Sequence, residues 1–241
     1  MKVVDPGQIS LSLFFPVYNE EQNLEATAAG AVDALAGLGL KQFEVIIVDD
    51  GSADRTGPLA DAIAARDPRV RVVRHPRNLG YGHALRAGFA AARYEYVFYT
   101  DGDRQYDLRE IDRVIALIPY ADLVIGFRTK KQYTPYRHLM SFTFNSILRL
   151  LFDIDETDID CSFKLYPRSL FERIELTSVG AFIDAEVALR ARELGLKTIE
   201  VGVTHFERAA GKSTAASPLA VLVVLREMWG HYRRYRRQGK L

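Results

Sequence analysis

Asp101-Gly102-Asp103 sets two carboxylates one residue apart, with Gln105 two positions further on. Mg2+ and Mn2+ take oxygen ligands, and they commonly join one or two carboxylates to the phosphates of a substrate. Gln105 adds a carbonyl oxygen to that set. Asp and Gly also favour ordinary turns, so the meaning of the triplet depends on where it sits. It directly follows the apolar run 96–100, and a strand end favours the reading of a metal and diphosphate site.

Other polar clusters offer complementary chemistry. Asp49-Asp50-Gly51-Ser52 follows another apolar run. Asp50 there can accept hydrogen bonds from a nucleobase or ribose, while residues 52–54 can equally cap the next helix. In the segment 16–20, Tyr18 offers a flat face to a base and Glu20 an acceptor; Asn19 alternatively starts a helix with acidic residues in its first turn. The glycine-containing turn at residues 78–82 resembles a phosphate loop but lacks the full fingerprint of a dinucleotide site or P-loop. Arg208, Lys212 and Ser213, beside Gly211, suit phosphate groups, the arginine by a bidentate fork; a solvated loop is the plainer alternative. Asp160, Asp184 and Glu186 are candidate acceptor-side carboxylates, although Asp184 and Glu186 would also complement a helix dipole. Cys161 has no His motif or metal-ligand spacing around it and reads as a small packed residue.

These clusters need a scaffold that brings them together. The runs 11–17, 44–48, 70–74, 96–100 and 123–126 are short, apolar and rich in Val, Ile, Phe and Tyr, as buried strands are. Between them, residues 21–38, 56–66, 82–93 and 108–118 carry apolar side chains at helical spacing. Strand–helix alternation implies an α/β fold, a mostly parallel sheet with helices on both faces. Ligands bind beyond the carboxyl ends of such strands, which is where the polar clusters fall. Further on, 137–152, 184–194 and 217–237 read as helices, and 163–166 and 198–203 as strands.

Composition narrows the classes. The 241 residues suit one α/β domain, or at most two small ones; a formal net charge of +1 does not point to nucleic acid, and the basic face or motif of such a binder is not found in the sequence. One cysteine excludes an internal disulfide framework. Residues 1–10 lack the pattern of a signal peptide, and no stretch reaches the ~18 apolar residues of a membrane span. The terminal segment is apolar, then aromatic, then basic, which suits either a helix at an anionic bilayer or a final core-packed helix with a frayed tail. The expected location is cytoplasmic, with peripheral attachment at the cytoplasmic membrane face where that helix meets lipid.

Taken in order, the stretches 15–24 (FPVYNEEQNL), 48–56 (VDDGSADRT), 78–88 (NLGYGHALRAG), 101–105 (DGDRQ), 126–128 (GFR), 160–166 (DCSFKLY), 184–186 (DAE) and 208–213 (RAAGKS) resemble glycosyltransferase family 2 with its GT-A, Rossmann-like fold. The likeness is greatest to the dolichol-phosphate mannose synthase and polyprenyl-phosphate glycosyltransferase branch. It implies a GT-A domain over 1–216 and an amphipathic helix over 217–241. It also implies a nucleotide-sugar site formed by Pro16, Tyr18, Glu20, Val48, Asp50, Gly102 and Arg128. Asp101, Asp103 and Gln105 would hold Mg2+ or Mn2+, and Arg208, Lys212 and Ser213 would hold donor or acceptor phosphates. In the mannose synthase pattern a Lys follows the final Ser; here Thr214 follows and Lys212 precedes. The implied reaction inverts the anomeric centre of a GDP- or UDP-linked sugar, with a polyprenyl or dolichyl phosphate as acceptor and a membrane surface or membrane protein as partner. Transfer to a hydroxyl of a glycan or small molecule, and a non-catalytic nucleotide-binding scaffold, are the alternatives.

Overall fold

The computed structural model describes residues 4–130, 135–208 and 218–239. Among these, seven strands form one sheet in the order β3-β2-β1-β4-β6-β5-β7. They are β1 (Ser10–Val17), β2 (Gln42–Asp49), β3 (Val70–Arg74), β4 (Tyr96–Thr100), β5 (Leu123–Arg128), β6 (Phe163–Pro167) and β7 (Thr198–Val203). All neighbours run parallel except β6, which is antiparallel to both β4 and β5. That reversal matters for function. The amino end of β6 lies at the carboxyl edge of the parallel strands, so the turn before it joins the site. Strand order also reverses beside β1, the switch point at which open α/β sheets bind ligands.

The sheet is covered on both faces because its strands are apolar on both. Leu11, Leu13, Phe15, Val45, Ile47 and Phe98 pack beneath α1 (Leu24–Gly37), α2 (Thr56–Arg66) and the short α4 (Ile111–Ile115). Phe14, Ile46, Val48, Val97 and Tyr99 face α3 (Tyr81–Ala91), α6 (Ser169–Arg173) and α7 (Ile183–Glu193). Alternation along each strand thus feeds two cores rather than a core and solvent. A third cluster, with Leu148, Phe152, Phe182, Leu189, Met228 and Tyr235, joins α7 to α5 (Pro135–Phe152) and α8 (Pro218–Arg237).

On the α3 face the fit is tight. Phe14, Phe89 and Tyr99 stack and cross at 5.0–5.8 Å between centroids. A Cβ at Gly88 would lie 2.2 Å from the Phe14 ring. Gly88→Ala should therefore destabilise by about 1–3 kcal/mol through overpacking, despite the better helix propensity of Ala; urea melts will read this directly. An unchanged midpoint would mean that the α3–β1 interface is looser than described.

Several sequence expectations change in detail. The first helix starts at Leu24, not near residue 21, and Asn19 is not its cap. Asn19 takes φ 55°, and its side chain accepts from Ala53 N (2.8 Å), tying the loop after β1 to the loop after β2. The expected helix at 108–118 is broken into α4 flanked by two single 3-10 turns, with Pro119 in the second. Arg128 and Asp49 end their strands rather than following them. Lys212, Ser213 and the expected boundary at 216/217 lie outside the described residues. No helix among the described residues is long and apolar enough to cross a membrane.

Candidate active site

Strands β1, β4, β5 and β7 and the turn entering β6 deliver polar residues to one edge. Gly102 makes this possible for the acidic triplet. A Cβ there would lie 2.7 Å from Val17 Cγ1 and 2.8 Å from the Pro16 carbonyl, so the loop after β4 passes flush against the end of β1. Its own carbonyl accepts from Thr27 Oγ1 (3.0 Å).

Asp103 is buried and Asp101 half-buried. Burial, and next the Asp103 charge, push the Asp101 carboxyl up to about 7. Burial also raises Asp103, with Arg208 opposing the shift. A buried carboxylate raised by burial and by a second carboxylate two residues on favours a cation beside it. Among the described residues no group of three or more His, Cys, Asp or Glu gathers to hold a metal. The two aspartates therefore fit an ion whose shell substrate phosphates and water would complete, the usual arrangement for Mg2+. Gln105 is anchored beside them: its Nε2 donates to the Phe206 carbonyl (2.9 Å) and its backbone N to Asp103 Oδ1 (3.2 Å).

Arg208, after β7, ion-pairs with Glu20 and lies 3.5 Å from Asp103 Oδ2. Glu20, Asp103 and Arg208, one from each of the sets expected for base, metal and phosphate, thus meet beyond the ends of β1 and β4. Glu20 also accepts from Asn23 Nδ2 (2.7 Å). Tyr18 is partly exposed at the same edge. Asp50 is more committed than expected, accepting from His75 Nδ1 (2.7 Å), Leu79 N (3.0 Å) and Gly80 N (2.9 Å). It organises the loop that opens α3. Val48 has no exposed surface and belongs to the α3-side core, so its side chain is not brought to the crevice; Pro16 is half-buried at the end of β1.

Arg128 forms a buried fork on Asp158, with Nε–Oδ2 and Nη2–Oδ1 both 2.6 Å. Asp158 was not singled out in the sequence. Its signal was the position two residues before Asp160, facing an arginine 30 residues earlier that only the fold brings near.

The three candidate bases separate clearly. Glu186 is bonded by Thr177 N (3.0 Å), Thr177 Oγ1 (2.9 Å) and Ser178 N (2.8 Å). Burial works against its charge, yet these bonds from Ser178 and Thr177 outweigh it and hold the carboxyl below its usual range. Asp184 is the counter-ion of Lys164, a fully buried lysine on β6, at 2.5 Å, and it also accepts from the Tyr99 hydroxyl. Asp160 makes no hydrogen bond or ion pair among the described residues. Burial, with the Asp184 charge behind it, pushes its carboxyl up to about 6, the range a general base needs near neutral pH. Cys161 is inert: burial drives its thiol up to about 12.

Comparison with known proteins gives the family and the fold. The family model for glycosyl transferase family 2 matches residues 12–175. The polyprenol monophosphomannose synthase of Mycolicibacterium smegmatis is 33% identical over 87% of this chain and 82% of its own. The undecaprenyl-phosphate mannosyltransferase of Micrococcus luteus is 29% identical over 89% and 91%. Glycosyltransferase AglD of Haloferax volcanii is 30% identical over 81% of this chain, which spans 33% of that longer protein. Among solved structures, glucosyl-3-phosphoglycerate synthase from Mycobacterium tuberculosis, in complex with Mn2+, UDP and phosphoglyceric acid, superposes with a TM-score of 0.67 at 19% identity, over 93% of this chain and 78% of that one. That likeness establishes a shared GT-A fold. With the acidic triplet at the strand end where the fold binds its ligands, and with the family model spanning the residues that carry it, this chain belongs to glycosyltransferase family 2 and is a glycosyltransferase.

Proposed function

We propose that the chain transfers a sugar from a GDP- or UDP-linked donor to a polyprenyl phosphate, with inversion and with a divalent metal, at a membrane surface. The observation that carries this is the meeting of Asp103, Glu20 and Arg208, with Asp101 two residues before Asp103, at the switch point of the sheet. It is joined by the names of the relatives, a polyprenol monophosphomannose synthase and an undecaprenyl-phosphate mannosyltransferase.

Asp101 and Asp103, with Gln105, would hold Mg2+ or Mn2+. When bound, the ion supplies Lewis-acid stabilisation of the departing diphosphate. Arg208 would hold phosphate oxygens beside that site, a role its 3.5 Å separation from Asp103 supports; Lys212 and Ser213 follow it in sequence. Tyr18 and Glu20 line the base side. A phosphate oxygen of the acceptor attacks the anomeric carbon, the bond to the diphosphate breaks, and the nucleoside diphosphate leaves. A phosphate monoester is already ionised, so no base is required. Approach to a bilayer is supported by α8, which exposes Leu222, Leu225 and Trp229, then Arg233, Arg236 and Arg237. A face of aromatic and aliphatic residues followed by arginines suits an anionic interface. Helix α5, which packs on α8 through Phe152 and Tyr232, exposes Phe142 and Leu150.

One observation favours a second acceptor class. The uncommitted Asp160, poised at about 6, is suited to take the proton of a hydroxyl. The two readings predict different results. Labelled GDP- and UDP-sugars are incubated with the protein, Mn2+ and undecaprenyl phosphate, and the label is partitioned into butanol. Label in the lipid phase, with Asp160→Asn within about 10-fold of wild type, is the expected result. Label only in water-soluble product, with Asp160→Asn reduced by about 10²–10⁴-fold as for loss of a general base, would replace the phosphate acceptor by a hydroxyl.

A further inference from the structure

Tyr81 opens α3 between two glycines, and its backbone is held on both sides. Asp50 accepts from Leu79 N and Gly80 N just before it. Just after it, Gly82 N donates to the Val179 carbonyl at 2.9 Å. A Cβ at Gly82 would lie 2.6 Å from the Val179 carbonyl carbon, so the two backbones touch and no side chain fits between them. The 178–180 segment is in turn held by α8. Val179 N and Gly180 N donate to the Glu227 carboxylate at 2.6 and 3.2 Å, and Ser178 Oγ lies 3.4 Å from His231 Nε2. With the main chain fixed this way, the Tyr81 ring points toward the acidic triplet. Its hydroxyl lies 3.4 Å from Asp101 Oδ1 and 3.3 Å from Ser162 Oγ.

We propose that Tyr81 is a positioning residue for Asp101: its hydroxyl, with that of Ser162, fixes the direction of the carboxylate toward the cation, and Glu227 of α8 anchors the backbone that places it. The inference rests on the reading of Asp101 as a metal ligand. Carboxylates that bind metals are oriented by outer hydrogen bonds, and loss of such a partner typically weakens metal binding by 10–100-fold. At 3.4 Å the Tyr81 bond is long, which places the expected effect at the low end of that range. The terminal helix thereby becomes part of the catalytic unit. Glu227 reaches the metal motif through three touching segments, 178–180, 80–82 and 101–103.

The test is titration of Mn2+ alone into the purified full chain, read by the loss of the free-ion electron paramagnetic resonance signal. Tyr81→Phe should raise the Kd for Mn2+ about 10-fold while the Tm stays within about 3 °C. Ser162→Ala and Glu227→Ala should raise it in the same direction by smaller factors, and Asp101→Asn should end binding. In turnover, Tyr81→Phe should raise the Mn2+ concentration needed for half-maximal rate while kcat at saturating Mn2+ is kept, a split that general destabilisation does not produce. If Tyr81→Phe and Ser162→Ala bind Mn2+ as the wild type does while Asp101→Asn does not, the positioning role is wrong and the metal site stands. If Asp101→Asn also binds as the wild type does, the metal-ligand reading itself falls, and this inference with it.

Discussion

Asp101→Asn is expected to lower sugar transfer by about 10³-fold or more and to raise the thermal stability of the protein at the same time. The loss follows from the charge the diphosphate leaving group develops. A metal at that position is worth several kcal/mol to the transition state, and each 1.4 kcal/mol is a factor of ten in rate. The gain in stability follows from burial. Asp101 sits beside Asp103 with its carboxyl pushed up to about 7 from an ordinary 3.8. A raised carboxyl pKa means that the folded state holds its proton more tightly than the unfolded chain does. Folding is therefore penalised once the unfolded group ionises, increasingly from about pH 4 to 7, and by a constant amount above pH 7. Asn removes the penalty. The Tm of Asp101→Asn should exceed that of the wild type at pH 8, by roughly 2–4 °C for each kcal/mol relieved, and the difference should fade as the pH is lowered toward 4.

The same carboxylate links metal binding to pH. The ligand form is the ionised one, so Mn2+ must displace a proton below about pH 7, and affinity should fall as the pH drops through that value. Scanning calorimetry at pH 8 and pH 4.5, with and without Mn2+, checks both statements. An Asp101→Asn variant that is inactive and less stable at pH 8 would mean that the aspartate is structural, and the electrostatic argument would fail.

Much of the scaffold was legible because parallel strands are buried on both faces and read as unbroken apolar runs. The helix at 56–66 and the strand at 96–100 fall where the pattern places them. Strand direction was not legible. Nothing in Phe163-Lys164-Leu165-Tyr166 distinguishes an antiparallel strand from a parallel one, yet that direction puts Asp160 at the active edge. The acidic triplet was legible because its chemistry is local. The division of labour among the acidic residues was not, because each partner lies far off in sequence. Asp184 looked like a helix-terminal charge or an acceptor-side carboxylate, and only packing reveals Lys164 beneath it, a buried lysine within an apolar strand. Asp50 looked free to meet a base, but the chain returns 25–30 residues later to bond it. Glu186 faces a loop and a histidine 45 positions away that no spacing rule connects.

Arg128 presents the sharpest case of two roles on one side chain, and its removal from Asp158 should be the largest stability change in the molecule. The pair is bidentate at 2.6 Å, and both side chains are almost wholly buried. Removing one partner of such a pair strands the other charge out of water, which costs about 3–5 kcal/mol. Asp158→Ala should lower the Tm by about 6–20 °C on the scaling for a domain of this size. The turn from Asp158 to Cys161 is closed by Cys161 N on the Asp158 carbonyl (3.0 Å) and by Lys164 Nζ on the Ile159 carbonyl (2.7 Å). Loosening it should displace Asp160 and Ser162 as well.

A structural pair and a phosphate ligand respond differently to the double replacement Arg128→Met/Asp158→Leu. Apolar side chains of similar volume often match or exceed the stability of a buried ion pair, so the Tm should return most of the way to the wild-type value. If Arg128 only holds the turn, transfer activity should return with it. If, as the family resemblance implies, the guanidinium also meets donor phosphates, kcat/KM should stay low in the refolded double variant. Arg128→Lys should be impaired too, because a point charge cannot reproduce the fork. The measurements are a melting curve and a donor titration on the same four proteins. A drop of less than about 1 kcal/mol in Asp158→Ala would show that water reaches the pair and that its burial is not what holds the end of β5.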